Sequence, residues 1–417
     1  MSMLAQPRPL IDPALLVVLA GVCAALHVGK LAPAIPVLRE GLGISLVQAG
    51  FLLSAVQIAG MSTGLLVGRL ADGLGLRRSM LLGLVLLALA SLAGAAATGV
   101  TPLLVLRGIE GLGFLLVVLP APSMVRRLVA PERMSRVLGL WGGYMPLGTA
   151  LALLVGPVFT ELLGWPAWWG LLGALSAGMA LWVWQAIPAD PPRAQAAAQG
   201  HPAPWAWLRP MQHTLRAPGP WLVALCFGLY SAQWLSVVGF LPSIYREAQV
   251  PGAWVGALTA WVAAINIVGN VVAGRLLQRG GAPAHLLWLG CASMALGAVL
   301  AFAANAEGEG LSPVVRYLGV LLFSCGGGLI PGTLFSLAVR VAPNDQTVAT
   351  TVGWMQQWSA FGQFAGPPLV AWVAVNTGGW RWTWLVTAAC AAGCAMLAAV
   401  LHRHLHLQQH LRPRATG

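Results

Sequence analysis

Apolar residues run through this chain in blocks of about 20, the length an α-helix needs to cross a bilayer, and short polar connections separate them. The pattern predicts spans at 14–37, 46–68, 79–98, 102–124, 137–160 and 167–187, then at 220–243, 254–276, 286–304, 313–339, 348–374 and 382–402. One long polar connector, rich in Pro, Ala and Gln, divides them into six and six. The chain therefore reads as an all-α polytopic membrane protein of twelve transmembrane helices. A first six-helix bundle occupies 1–188, a linker 189–218, and a second six-helix bundle with a short tail 219–417.

The polar positions that interrupt the apolar blocks point to the chemistry. Lys30, the one lysine of the chain, stands inside the first span, where a charge at mid-membrane costs about 2.5 to 3.5 kcal/mol. Intramembrane charges line pathways by default, so Lys30 is a candidate site residue. Snorkelling to the surface and a neutral amine hydrogen-bonded inside the protein are the structural alternatives. The fourth span carries Arg107 and Glu110, three residues apart and so on one helix face. Glu110 is the one acid placed well inside a span. Arg107 enters roughly 8 Å from the outer end of its span, a depth similar to that of Lys30. His27, one turn before Lys30, shares its face.

Composition fixes the class. Hydrophobic residues make up 58% of the chain and charged residues 8%, with a mean hydropathy of +0.78, which excludes a soluble protein of this length. The net charge of +12 would suit nucleic acid, but the arginines sit in alternate short connections, which is a topology signal. It places both termini and the linker in the cytoplasm, with a bacterial inner membrane as the expected location. The six cysteines fall in apolar segments without metal-ligand spacing. No cofactor is implied, and no nucleotide-binding loop or catalytic triad points to an enzyme.

The halves are related by an internal repeat, a common plan among transporters. Pro36-Val-Leu-Arg39-Glu40 matches Pro242-Ser-Ile-Tyr-Arg246-Glu247, and Gly68-Arg69-Leu70 matches Gly274-Arg275-Leu276. Thr101-Pro102 matches Ser312-Pro313, Gly156-Pro157 matches Gly366-Pro367, and Gly164-Trp165 matches Gly379-Trp380. The pairs fall in order at a nearly constant offset.

Between the second and third spans, Gly68-Arg-Leu-Ala-Asp72-Gly-Leu-Gly75-Leu-Arg77-Arg78 resembles the loop signature of the major facilitator superfamily. With the span count, linker and repeat, that resemblance covers the whole chain. It implies two pseudo-symmetric bundles that alternate access, with Gly68, Asp72, Gly75, Arg77 and Arg78 in a cytoplasmic gate. Gly73 and Leu76 depart from the pattern, where the family usually has basic residues. Arg107-Gly-Ile-Glu110-Gly111-Leu-Gly113 and Leu138-Gly-Leu-Trp141-Gly142 resemble, more weakly, the cyanate and nitroimidazole permease branch. The resemblance also implies that the first and fourth helices line a central cavity, which would bring Lys30, Arg107 and Glu110 together.

Two cations and one carboxylate suit a small anion of one negative charge. Lys30 and Arg107 are then substrate-binding candidates, and Glu110 and His27 candidates for moving protons. The packing alternatives are a self-neutralising Arg107–Glu110 pair and a hydrogen-bonded structural histidine. In the second half, Tyr230, Gln233 and Trp234 share one face, and Trp354, Gln357, Trp358 and Phe361 another. Of these, Tyr230, Gln233, Trp234, Gln357 and Trp358 are candidates for orienting a planar substrate, against the alternative of interfacial anchoring. Asn266 and Asn270 read as bonds between helices. His402, His406 and His410 line one face if the last helix continues into the tail, but metal capture there rests on spacing alone. The expected function is secondary transport of a small organic or inorganic anion with protons, by a protein working as a monomer. A proton-driven drug or metabolite exporter and a transporter-like sensor are the alternatives.

Overall fold

A computed structural model describes residues 12–63, 74–130, 133–134, 137, 140–190, 208–304, 309–344 and 347–411. Among them, ten helices are long and apolar enough to cross a membrane. They include α1 (Pro13–Leu42), α2 (Leu46–Thr63), α3 (Leu76–Ala95) and α4 (Val100–Leu128). Tyr144–Ala186 is two spans, α5 (144–163) and α6 (165–186), bent where Gly164 takes φ 80°. The second half supplies α7 (Pro218–Glu247), α8 (Gly252–Gln278), α9 (Pro283–Phe302) and α10 (Pro313–Val341). It continues with α11 (Val348–Asn376), whose glutamines lower its hydropathy, and α12 (Thr383–Leu411). The described residues thus contain twelve spans. The expected linker carries a short helix of its own, Leu208–Arg216, and Thr214 bonds Thr350 of α11 at 2.8 Å.

Each half packs by the same rule. α1 lies against α5 and α7 against α11, with α3 against α4 and α9 against α10. Small residues permit the approach, because in lipid helices associate through close packing and not through water exclusion. A methyl group at Gly362 of α11 would run into the Gly228 carbonyl of α7, and one at Gly111 of α4 into the Val56 carbonyl of α2. Side chains such as Leu89, Leu162 and Val314, each at least 60% exposed, face outward as a lipid-contacting belt.

The halves meet along two seams, α2 with α11 and α5 with α8. Gln57 donates to Gln363 at 2.9 Å and Gln357 to the Met61 carbonyl at 2.8 Å. At the end of the molecule holding the α1 and α7 C-termini, Arg39 lies 3.7 Å from Glu247, which also accepts from the Trp380 indole at 2.7 Å.

Candidate substrate and proton site

Proline sets the shape of α1 at the site. Pro33 lacks the N–H that would reach the Gly29 carbonyl, and the helix is interrupted at Lys30 before resuming at Leu31. The freed turn is held from α6, where the Trp168 indole donates to the Lys30 carbonyl at 3.0 Å. The lysine side chain then turns into the first bundle and not toward the membrane surface.

There Lys30, Arg107, Glu110 and His27 come together, each no more than 1% exposed. The Lys30 ammonium donates to Glu110 Oε1 and, at 2.9 Å, to Ser91 Oγ of α3. It also stands 4.6 Å from the ring centre of Trp169, a cation–π contact. Arg107 Nη1 donates to Glu110 Oε2 at 2.7 Å and to the His27 carbonyl at 2.6 Å, and its Nε reaches the Leu52 carbonyl at 3.2 Å. His27 bonds Ser176 of α6 at 2.7 Å through Nε2, while its Nδ1 lies 3.6 Å from Glu110 Oε1. One carboxylate thus holds both cations, with the histidine at its side.

Three buried polar atoms in or beside this network lack a hydrogen-bond partner: His27 Nδ1, Arg107 Nη2 and the hydroxyl of Thr149, whose backbone abuts Gly29. A buried guanidinium nitrogen without an acceptor is costly. Lys30, Arg107 and Glu110 sum to one positive charge with His27 neutral. Chemically, this is a buried cage of one net formal positive charge.

The second-half candidates lie apart from that cage. Tyr230 and Trp234 belong to a network with Asn266 and Ser324: Asn266 donates to the Tyr230 hydroxyl at 3.0 Å and to the Ser324 carbonyl at 2.8 Å, and the Trp234 indole to Ser324 Oγ at 3.2 Å. Trp358 sits among Trp221, Trp354 and Phe361. Gln233 is buried with neither amide atom bonded. Of the gate candidates, Gly68 and Asp72 lie outside the described residues. Gly75 takes φ 93°, a conformation that favours glycine, and its neighbour Asp190 caps α3 by accepting from the N–H groups of Arg77 and Arg78 at 3.1 and 3.0 Å. Asp190 also pairs with Arg127 at 3.1 Å, and Arg77 donates to the Trp184 carbonyl. Helix α12 does continue into the tail, and His402 and His406 meet edge to face with ring centres 4.4 Å apart. His410 has no described side chain, and no cluster of three metal-ligating side chains occurs among the described residues.

Sequence reasoning did not single out Ser91, Ser176, Trp168, Trp169 or Asp190. Ser91 and Ser176 were visible as hydroxyls in apolar spans, and Asp190 as a lone acid directly after α6. Nothing in the sequence pairs any of them with a partner.

A twelve-span protein of two like bundles joined by a linker, with charges sealed in one bundle, is built as a membrane carrier. The chain belongs to the Major Facilitator Superfamily, which it matches over residues 17–367, and it is a transporter by that membership. It is 30% identical over 158 residues to the puromycin resistance protein pur8 of Streptomyces alboniger, covering 38% of this chain and 31% of that protein. It is 27% identical over 233 residues to the cyanate transport protein CynX of Escherichia coli K12, covering 55% and 57% respectively; this likeness matches the branch resemblance read from the sequence. These alignments thus span less than two thirds of either relative. The fold superimposes on an inward-facing, unoccupied bacterial homologue of the lysosomal transporter Spinster with a TM-score of 0.74 at 15% identity, covering 94% of this chain and 96% of that one.

Proposed function

We propose that this transporter moves a small monoanion together with a proton, with Glu110 serving as an internal stand-in for the anion. The observation that carries the reading is the sealed cage of net positive charge in which one arginine nitrogen has no acceptor. While Glu110 is ionised, it occupies both cations. A proton on Glu110 weakens both ion pairs, and a substrate anion then takes Lys30 and Arg107. Proton and anion together leave the total charge of the cage unchanged, which favours their movement as a pair through the low-dielectric interior. His27, 3.6 Å from the carboxylate, is positioned to relay that proton.

In this proposal 1–188 and 219–417 rock against each other about the 189–218 linker, in a bacterial inner membrane with both termini cytoplasmic. Arg39 and Glu247 then close the outer end. The protein works as a monomer. Tyr230, Trp234 and Gln357 act from the second half and the seam, holding the packing against which the first half moves. Gly68, Asp72, Gly75, Arg77 and Arg78 form the cytoplasmic gate.

The test is uptake of labelled monoanions into proteoliposomes with and without an inward proton gradient. Wild type should show gradient-stimulated uptake, and Lys30→Ala and Arg107→Ala should each abolish it. Wild-type uptake by both variants would overturn the reading. A second reading, proton-driven export, is favoured by the similarity to a puromycin resistance protein. It would appear in the same vesicles as gradient-driven movement of a drug in the direction opposite to the protons.

A further inference from the structure

The repeat places Gln233 where the first half has His27: each stands nine residues before the proline of its helix, Pro242 or Pro36. His27 bonds through its Nε2 to Ser176, which lies eleven residues after Trp165. The matching position, eleven residues after Trp380, is Ala391. The second half has thus kept an amide at this place without the hydroxyl that pairs with its counterpart. Helix contacts support the register, since Gly148 meets the Val22 carbonyl in the first half as Gly228 meets the Trp358 carbonyl in the second.

Gln233 is 1% exposed, and both its amide atoms lack a hydrogen-bond partner. It lines a crevice of about 210 Å³ between α7, α11 and α12, whose walls include Ala232, Trp358, Phe361, Ala365 and Cys390. Phe361 is 49% exposed, so the crevice opens sideways toward lipid and not along the transport axis. Both amide atoms are covered, so the amide must turn to face the crevice; because no bond holds it, that turn breaks none.

We infer that this crevice is a second binding site, entered from the bilayer, for an uncharged planar molecule carrying a carboxamide-like donor and acceptor that pairs with Gln233. The size fits: an apolar cavity of about 150 Å³ suffices for benzene. The walls fit as well, since Trp358 and Phe361, with ring centres 5.4 Å apart, offer aromatic surface. An ion is excluded because no charged side chain lines the crevice. A phospholipid cannot satisfy the amide. Gln233 sits midway along the 30-residue α7, whereas lipid ester groups lie about 15 Å away at the edge of the hydrocarbon core. The inference does not depend on the anion–proton reading, because it rests on the other half of the molecule and on binding alone.

The experiment is ¹⁹F NMR of 4-fluorobenzamide and 4-fluorotoluene with the full chain in nanodiscs, against empty nanodiscs. 4-Fluorobenzamide should bind wild type about tenfold more tightly than Gln233→Leu, the share of one hydrogen bond to a buried amide. 4-Fluorotoluene should bind both alike. Ala365→Phe, a change at an exposed wall position, should block both probes without touching Gln233. The inference is overturned if 4-fluorobenzamide binds wild type and Gln233→Leu equally, or if Ala365→Phe binds it like wild type. It is also overturned if no binding exceeds that of empty nanodiscs, in which case the crevice belongs to an acyl chain.

Discussion

Replacing Glu110 by Gln keeps the shape of the side chain and removes the one negative charge that holds Lys30 and Arg107. All three groups are at most 1% exposed, so water cannot take over the lost role. Breaking a buried ion pair by deleting one partner costs about 3 to 5 kcal/mol. At roughly 2 °C per kcal/mol for a large chain, the unfolding midpoint of Glu110→Gln should fall by roughly 6 to 10 °C. A monoanion that takes the vacated place stabilises by about 2.7 kcal/mol at a hundred times its dissociation constant, returning about 5 °C of that fall. The assay is thermal unfolding of purified protein with a series of sodium salts at fixed ionic strength, wild type beside Glu110→Gln. Wild type should respond little at neutral pH, where its own carboxylate fills the place. Equal midpoints for the two proteins, or equal salt responses, would refute the idea that Glu110 stands in for an anion.

The double variant Lys30→Met/Glu110→Gln should be closer to wild type in unfolding midpoint than Glu110→Gln alone, since it removes a buried cation along with its partner. Arg39→Glu should loosen the contact between the α1 and α7 tips; the pair is 38% and 51% exposed, so the effect on the balance of conformations should stay within about 1 kcal/mol. Combining it with Glu247→Arg should restore the balance, read by cross-linking cysteines placed at the two tips. Gly362→Leu should cost several kcal/mol because its side chain would meet the Gly228 backbone, visible as loss of monodisperse protein on size exclusion. Asp12 caps α1 through the Ala14 N–H at 3.0 Å and pairs with Arg133 at 2.7 Å, and both hold its carboxyl below the usual range. Its contribution is therefore present above the ordinary carboxylate pKa and lost as pH falls through the lowered one. Asp12→Asn should flatten that acid limb in a stability-against-pH series.

Much of the fold was legible because a bilayer leaves a sequence few choices. Blocks of about 20 apolar residues, the paired Gly-Pro and Gly-Trp positions and the single polar connector give the helices and the two halves. The break between α5 and α6 was legible at Gly164-Trp165, where the glycine takes a φ of 80° that no right-handed helix contains. The charges Lys30, Arg107 and Glu110 announced themselves by their cost. Their surroundings did not: Ser91 and Ser176 are ordinary hydroxyls in sequence, and which helix each faces depends on rotations that periodicity cannot fix across segments buried on several sides. Gln233 illustrates the same limit. Its likeness to Tyr230 and Trp234 by face suggested one shared site, whereas those two are bonded to Asn266 and Ser324 and Gln233 lines a different surface.

The most direct test of the central claim records the internal pH of proteoliposomes while anions are added outside, with no gradient imposed and with anions whose acids are too strong to cross as neutral molecules. With wild type, the lumen should acidify as anion enters, one proton for each anion, and Glu110→Gln should carry anion without acidification or carry none. Anion entry into wild-type vesicles with the internal pH unchanged from that of empty liposomes would contradict a proton–anion exchange of places at Glu110.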